Sequence, residues 1–352
     1  MIQSNNHKLA APRRRSAKLA LNLLPILSVL CGLTGITGCS SGGGDSRTDA
    51  SPVLPAAAPS VAATSGRGFP AAAPWVSCYG PASGMGDLNK IAETFRVINI
   101  DADPDSDTEP DGGNLTRAQI TLLKNNGRNR VISYLNIGGC ERSRTYWNAV
   151  PTGYSPAKDF ATSPYSGYPD EQWMDLGNPD YQNLIVHYVA ARLAAKGVDG
   201  FFLDNVELVE HEPGDANGPC SAACRQGGLD IVRKLRETYP HLLIVMQNAT
   251  SDVTRRGTTG GVPFSSLLDG VSHEDVFTPQ YDAAAEAELK QWRDMALQPS
   301  GHPFWIATED YVGSAANTEG ARAAYERSRA QGFSPYVSDA SASQQQIFYW
   351  SF

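Results

Sequence analysis

From Pro74 onward, short apolar runs alternate with stretches whose apolar residues recur at helical spacing. The runs are WVSCY (75–79), RVINID (96–101), RVISYLN (130–136), VDGFFLD (198–204), LLIVMQN (242–248), LDGVSHE (268–274), PFWIATE (303–309) and SPYVSD (334–339). Their length and their β-branched and aromatic content predict strands. Between them the pattern predicts helices at Asp87–Phe95, at Leu115–Asn126 with Asn114 as N-cap and Gly127 as stop, and at Asp180–Lys196 closed by Gly197. In the last of these, Leu184, Ile185, Tyr188, Val189 and Leu193 fall on one face. Further helices are predicted at Gly228–Thr238, Ala283–Leu297 and Thr318–Ala330.

Eight strands with helices between them predict an α/β fold, a (β/α)8 TIM barrel spanning 75–352. An open doubly wound sheet is the alternative. It would carry a Gly-rich phosphate loop after its first strand. The chain has GPASGMG there, which lacks that spacing.

Barrel chemistry sits at the C-terminal ends of the strands. Asp101 ends the second run, and Tyr134 and Asn136 the third, followed by two glycines. Asp204 and Asn205 end the fourth, and Gln247 and Asn248 the fifth. Glu274 and Asp275 end the sixth, Glu309 and Asp310 the seventh, and Asp339 lies near the end of the eighth. A ring of acids and amides suits glycoside hydrolysis. One carboxyl protonates the leaving oxygen while another attacks or activates water. GVDGFFLD is apolar until its last residue, which singles out Asp204. A helix cap or a structural ion pair is the other reading of such an acid. His273 and Asp275 compete with Glu274 for a catalytic role, and Glu309 fits a substrate contact or a structural one.

The N-terminus changes the picture outside the barrel. Residues 8–18 are basic, residues 19–36 apolar, and ITGC ends at Cys39. This predicts a signal segment over 1–38, with Cys39 lipidated as in a bacterial lipobox. A plain signal peptide or a membrane span is the alternative, and Pro25 and the modest apolar length count against a span. Residues 39–74, rich in Ala, Pro, Ser and Gly, read as a flexible linker. The protein is thus expected to be exported and anchored to the cell envelope by lipid alone, or secreted if Cys39 is not used. The net charge is −8, of which the first 38 residues contribute +5, leaving −13. Such a charge repels nucleic acid and favours cationic partners.

Export also sets the reading of the cysteines. Cys31 leaves with the signal, so Cys78, Cys140, Cys220 and Cys224 remain. Cys220 and Cys224 are the expected disulfide, and Cys78 and Cys140 are a second candidate pair. No ligand spacing for zinc is present. The acidic run Asp101 to Asp111 fails as a calcium loop, because its twelfth position, counted from Asp107, is Ala118. Nothing in the sequence calls for a metal or a cofactor.

The pieces VISYLNIGGCERSR (132–144), EQWMDLGNPDY (171–181), GVDGFFLDNVE (197–207) and LLDGVSHEDVF (267–277) together resemble glycoside hydrolase family 114, the endo-α-1,4-polygalactosaminidase-like barrels. The resemblance runs over about 75–340. It implies cleavage of α-1,4-linked galactosamine polymers, a cationic exopolysaccharide when deacetylated. It implies Asp204 as nucleophile and Glu274 as general acid/base, protonated in a partly apolar setting. Asp101, Tyr134, Asn205, Asn248 and Glu309 are expected to line the cleft, with Asp101 and Glu309 drawing in the amino sugar by charge. Where the family often has Lys-Asn after the fifth strand, this chain has Gln247-Asn248, and its Glu210–Cys224 loop is longer. Both departures bear on the substrate. The alternatives are a non-catalytic carbohydrate-binding envelope lipoprotein, or a glycosidase for another α-linked amino-sugar polymer.

Overall fold

A computed structural model describes residues 68–70, 73–103, 115–295, 304–339 and 344–352. The predicted signal segment, Cys39, most of the linker, Asn114 and the acidic run from Asp105 to Asp111 lie outside the described residues.

Eight parallel strands form the barrel sheet in chain order: β1 (Trp75–Cys78), β2 (Val97–Ile100), β3 (Arg130–Asn136), β4 (Gly200–Asp204), β5 (Leu243–Gln247), β6 (Gly270–Glu274), β7 (Trp305–Val312) and β8 (Ser334–Asp339). This is the (β/α)8 barrel that the alternation predicts. Most strands start or stop a residue or two inside the predicted runs, but β7 runs three residues further, to Val312. Glu309 and Asp310 therefore sit within a strand rather than at its end, and pleating sends them to opposite faces.

The helices are α1 (Leu88–Thr94), capped by Asp87, and α2 (Arg117–Leu123). Then come α3, a run over 179–195 with π-type geometry at Leu184–Val189, α4 (Ala222–Thr238), α5 (Ala283–Asp294) and α6 (Thr318–Ala330). Two starts differ from expectation. Thr116 caps α2 through a reciprocal capping box with Gln119. Ser221 caps α4 six residues before the predicted start, and the Gly227–Gly228 pair, which reads as a break in sequence, lies inside the helix. Glycine is required at 227, because a Cβ there would meet the Leu176 carbonyl oxygen at 2.1 Å.

Aromatic rings from strands that are not neighbours meet inside the barrel. Trp75 of β1 lies 6.2 Å from Phe202 of β4, 5.3 Å from Trp305 of β7 and 5.9 Å from Tyr336 of β8. Those contacts fix which residues point inward. By the two-residue period, Tyr79 follows Trp75, Asp204 follows Phe202, and Glu309 and Tyr311 follow Trp305 on the same inner face.

β8 and β1 are the two ends of the sheet order, bridged by the Trp75 Nε1–Ser334 carbonyl hydrogen bond of 2.9 Å. Outside that seam, where the alternation would place another helix, lies the extended C-terminal segment 344–352. Trp350 Nε1 donates to the Val337 carbonyl (2.8 Å), the Phe348 amide donates to the Tyr336 hydroxyl (3.2 Å), and Tyr349 packs on Phe95 at 5.7 Å. A three-stranded antiparallel sheet (Gly139–Glu141, Glu171–Met174, Ala161–Pro164), absent from the predicted pattern, inserts between β3 and α3.

Candidate active site

Asp204 closes a strand whose other residues, Gly200 and Phe201 to Leu203, are all buried. Asp204 itself is 6% exposed and stands level with Asn136 of β3. The chain then turns sharply at Asn205, whose φ of 56° lies in the left-handed region that asparagine tolerates better than most residues. Asn205 is fully buried and its amide nitrogen makes two hydrogen bonds. Nδ2 donates to Glu171 Oε1 (2.6 Å) and to Asn136 Oδ1 (3.1 Å), and Asn136 Nδ2 donates to the same Glu171 oxygen (2.7 Å). A Cβ at Gly138 would lie 1.8 Å from the Asn205 carbonyl oxygen, so the turn after β3 accepts only glycine there. Asn205 thus braces the turn beneath Asp204, and Glu171 anchors it. The role of Glu171 was missed from sequence. It lies inside the EQWMDLGNPDY piece, but an acid starting an insert strand gives no periodic signal.

Glu274 ends β6 in register with Glu309 of β7. Asn248, at a φ of 63°, grips Glu274 twice. Its Nδ2 donates to Glu274 Oε2 (2.7 Å) and its Oδ1 accepts the Glu274 amide (3.0 Å). The Tyr311 hydroxyl donates to Glu274 Oε1. Two neutral donors on the carboxyl replace the partly apolar setting expected for it.

Full burial belongs to Glu309 instead, and neither of its oxygens has a hydrogen-bond partner. Burial, then the nearby Glu274, Asp204, Asp310 and Asp275, push its carboxyl well above the usual carboxylate range. The same carboxylates, with burial leading, hold the Tyr79 and Tyr311 phenols well up. Burial, with Glu141, Asp204 and Glu171, does the same for Tyr134. Asp204, Glu274 and Glu309 therefore form one electrostatic cluster on β4, β6 and β7.

Asp101 belongs to a different group. Arg144 Nη1 donates to Asp101 Oδ2 at 2.9 Å and reaches Asp103 at 3.4 Å, while Nη2 donates to Glu141 at 2.8 Å. Tyr134 joins this group, its hydroxyl donating to Glu141 Oε1 (3.2 Å) and its ring packing on Tyr79 at 4.8 Å. Charge attraction of an amino sugar by Asp101 is offset by the guanidinium it already faces, and Glu309 is fully buried. Hydrogen bonding remains open to both.

Beyond the mouth, Cys220 and Cys224 form the expected disulfide. Cys78 and Cys140 are both free and buried, so the second pairing is not formed. Glu210, on the loop leaving β4, accepts from the Ser251 amide (3.0 Å) and hydroxyl (2.7 Å), and burial still raises it to about 7.

The family model of glycoside-hydrolase family GH114 matches residues 56–351. No curated protein matches the chain. Among solved structures, the glycoside hydrolase domain of PelA from Pseudomonas aeruginosa is similar at 19% identity and a TM-score of 0.55, over 79% of this chain and 98% of that one. A variant of that domain is similar at 18% identity and the same TM-score and coverage. At that identity the likeness carries the barrel fold.

Proposed function

The chain belongs to glycoside-hydrolase family GH114 and hydrolyses glycosidic bonds, and from that premise we propose that it cleaves α-1,4-linked galactosamine polymers from within, with Asp204 as nucleophile and Glu274 as general acid/base. One observation carries the assignment. Asp204 and Glu274 end two strands at the barrel mouth, and both act on Glu309, which lies on β7 beside Glu274. Like charges so placed raise the carboxyl they surround, which favours a shared proton in the cluster. Asp204 attacks C1 and stabilises the oxocarbenium-like state. Glu274, oriented by Asn248 and Tyr311, passes a proton to the leaving oxygen and recovers one from water. Asn205 and Glu171 hold the turn that aims Asp204.

The substrate reading draws on the resemblance and on charge. A chain of net charge −8 favours a cationic sugar over an anionic one. Export and lipidation at Cys39 would set this hydrolase on the cell envelope, in reach of a polymer outside the cell. Incubation with deacetylated α-1,4-galactosamine polymer, its N-acetylated form, a glucosamine polymer and a neutral α-glucan tests the reading through reducing ends and product length. Short oligomers from the galactosamine polymer are expected. Release from another α-linked amino-sugar polymer instead would move the substrate and keep the chemistry. Release from the neutral glucan alone would overturn the charge argument.

A further inference from the structure

The C-terminal segment that covers the barrel seam also enters the active site. Gln344 is 4% exposed and adopts a φ of 50°, left-handed for a residue with a side chain. Such a backbone persists where the surroundings over-determine it, and here they do. The Tyr79 amide donates to the Gln344 carbonyl at 2.7 Å. A Cβ at Gly80 would lie 2.7 Å from the Gln345 carbonyl oxygen, so the segment is seated directly on the turn after β1.

The side chain of Gln344 joins two strands that are not adjacent in the sheet. Ser77 of β1 donates its hydroxyl to Gln344 Oε1 (2.5 Å), and Gln344 Nε2 donates to the Tyr311 hydroxyl of β7 (3.1 Å). Asn99 of β2 donates its Nδ2 to Ser77 Oγ at 3.1 Å. The hydrogen bonds of this chain run in one direction. Ser77 accepts from Asn99, so its single proton goes to Gln344 Oε1. That fixes the amide with its nitrogen toward Tyr311. Tyr311 then receives a hydrogen at its oxygen and has one proton left to give, and it gives it to Glu274.

We propose that Gln344 is a positioning residue for the glycosidase reaction: the C-terminal segment carries it behind the barrel mouth, where it turns the Tyr311 hydroxyl proton onto Glu274. The proposal rests on Glu274 being the catalytic acid/base. Without the amide, the Tyr311 hydroxyl is free to rotate toward other acceptors, and the carboxylate form of Glu274 loses a donor. The midpoint of Glu274 then moves up, because a hydrogen bond to the charged form favours that form. The titratable groups around Glu274 are Glu309 and Tyr311 from β7, Asp204 from β4, Tyr79 from β1 and Asp275 directly after it, while His273 precedes it on β6 and points to the opposite face. Among them, a side-chain change at residue 344 reaches Glu274 through Tyr311.

The test reads Glu274 without substrate, so it stands apart from the substrate reading. In the full-length chain with 13C-labelled glutamate carboxyls, the Glu274 signal is assigned by its loss in Glu274→Gln and followed against pH. Gln344→Met, close in shape and without the amide, is expected to raise the Glu274 midpoint by roughly half a unit to one unit. Tyr311→Phe is expected to raise it at least as far, and the double variant no further than Tyr311→Phe alone, since Gln344 acts through Tyr311. On whichever polymer the wild type cleaves, Gln344→Met should lower kcat by about tenfold with KM nearly unchanged, as expected when a transition-state group is misaligned. Gly80→Ala, which displaces the segment through its backbone, should shift the midpoint in the same direction if Gln344→Met does not fold. An unmoved midpoint in a folded variant, or additive shifts in the double variant, would overturn the proposal.

Discussion

β4 and β6 each carry an acid at both ends, and the two ends treat their acids in opposite ways. At the lower end, Asp199 and Asp269 precede the glycines that start the strands. Asp199 accepts the Val131 amide (3.0 Å) and Lys124 Nζ (2.8 Å), while Asp269 accepts the Ile244 amide (2.8 Å) and Arg236 Nη2 (2.5 Å). Each caps the start of the neighbouring strand and neutralises a helix cation. Glycine follows because a Cβ at 200 would meet the Leu243 carbonyl at 2.4 Å, and one at 270 the Trp305 carbonyl at 2.6 Å. At the upper end, Glu274 is held by neutral donors, and both Asp204 and Glu274 raise Glu309. Lower acids are matched to cations and lock the frame. Upper acids crowd one another, which costs stability and raises the carboxyl between them.

The largest expected effect comes from exchanging function for structure at one strand. Asp204→Asn and Glu274→Gln should each lower kcat by roughly a thousandfold or more, while thermal unfolding stays within a few degrees of wild type. Near-normal turnover in either would break the contrast at the upper end. At the lower end the pattern should reverse. Asp269→Ala leaves Arg236, 2% exposed, without its carboxylate and the Ile244 amide without its acceptor. Losing one partner of a buried pair costs about 3–5 kcal/mol, read as a lower urea midpoint, with kcat of the folded protein within about twofold of wild type. Asp199→Ala should cost less, because Lys124 is partly exposed and keeps its hydration.

Much of this was legible in the sequence. The alternation of runs and amphipathic stretches gave all eight strands, because buried parallel strands are apolar enough to stand out from any flank. Asp204 and Glu274 stood out as acids ending such strands. Other features have no periodic signature. The capping box of Thr116 and Gln119 lay inside a stretch already assigned to helix. The extra turns of α4 were hidden by Gly227 and Gly228, which usually break helices but here let α4 approach Leu176. Glu171 and Gln344 act across sequence gaps of 34 and 33 residues, to Asn205 and Tyr311, and only the folded chain brings them together. One such feature does have a sequence signal. DGFFLD and DGVSHE both open on Asp-Gly, and that shared start marks the lower-end caps.

The smallest expected effect separates burial from crowding on a single strand. Asp310 follows Glu309 but points to the other face of β7, where its Oδ1 accepts the Phe277 amide (2.6 Å) and the Thr278 amide (3.0 Å). Those two donors favour the carboxylate, yet burial outweighs them and raises Asp310 to about 6. A folded value above the unfolded one of about 3.9 means that the native state binds more protons between those limits. The stabilisation is therefore fully present below about pH 4 and is lost as pH rises through 6. A shift of that size corresponds to a loss on the order of 3 kcal/mol. Asp310→Asn keeps the accepting oxygen and removes the titration, so urea midpoints measured from pH 4.5 to 7.5 should fall less steeply than in wild type. Hydrolysis should be largely retained, since the side chain faces away from the mouth. An unchanged slope would mean that crowding by Glu309 and its neighbours, rather than burial, governs both faces of the strand.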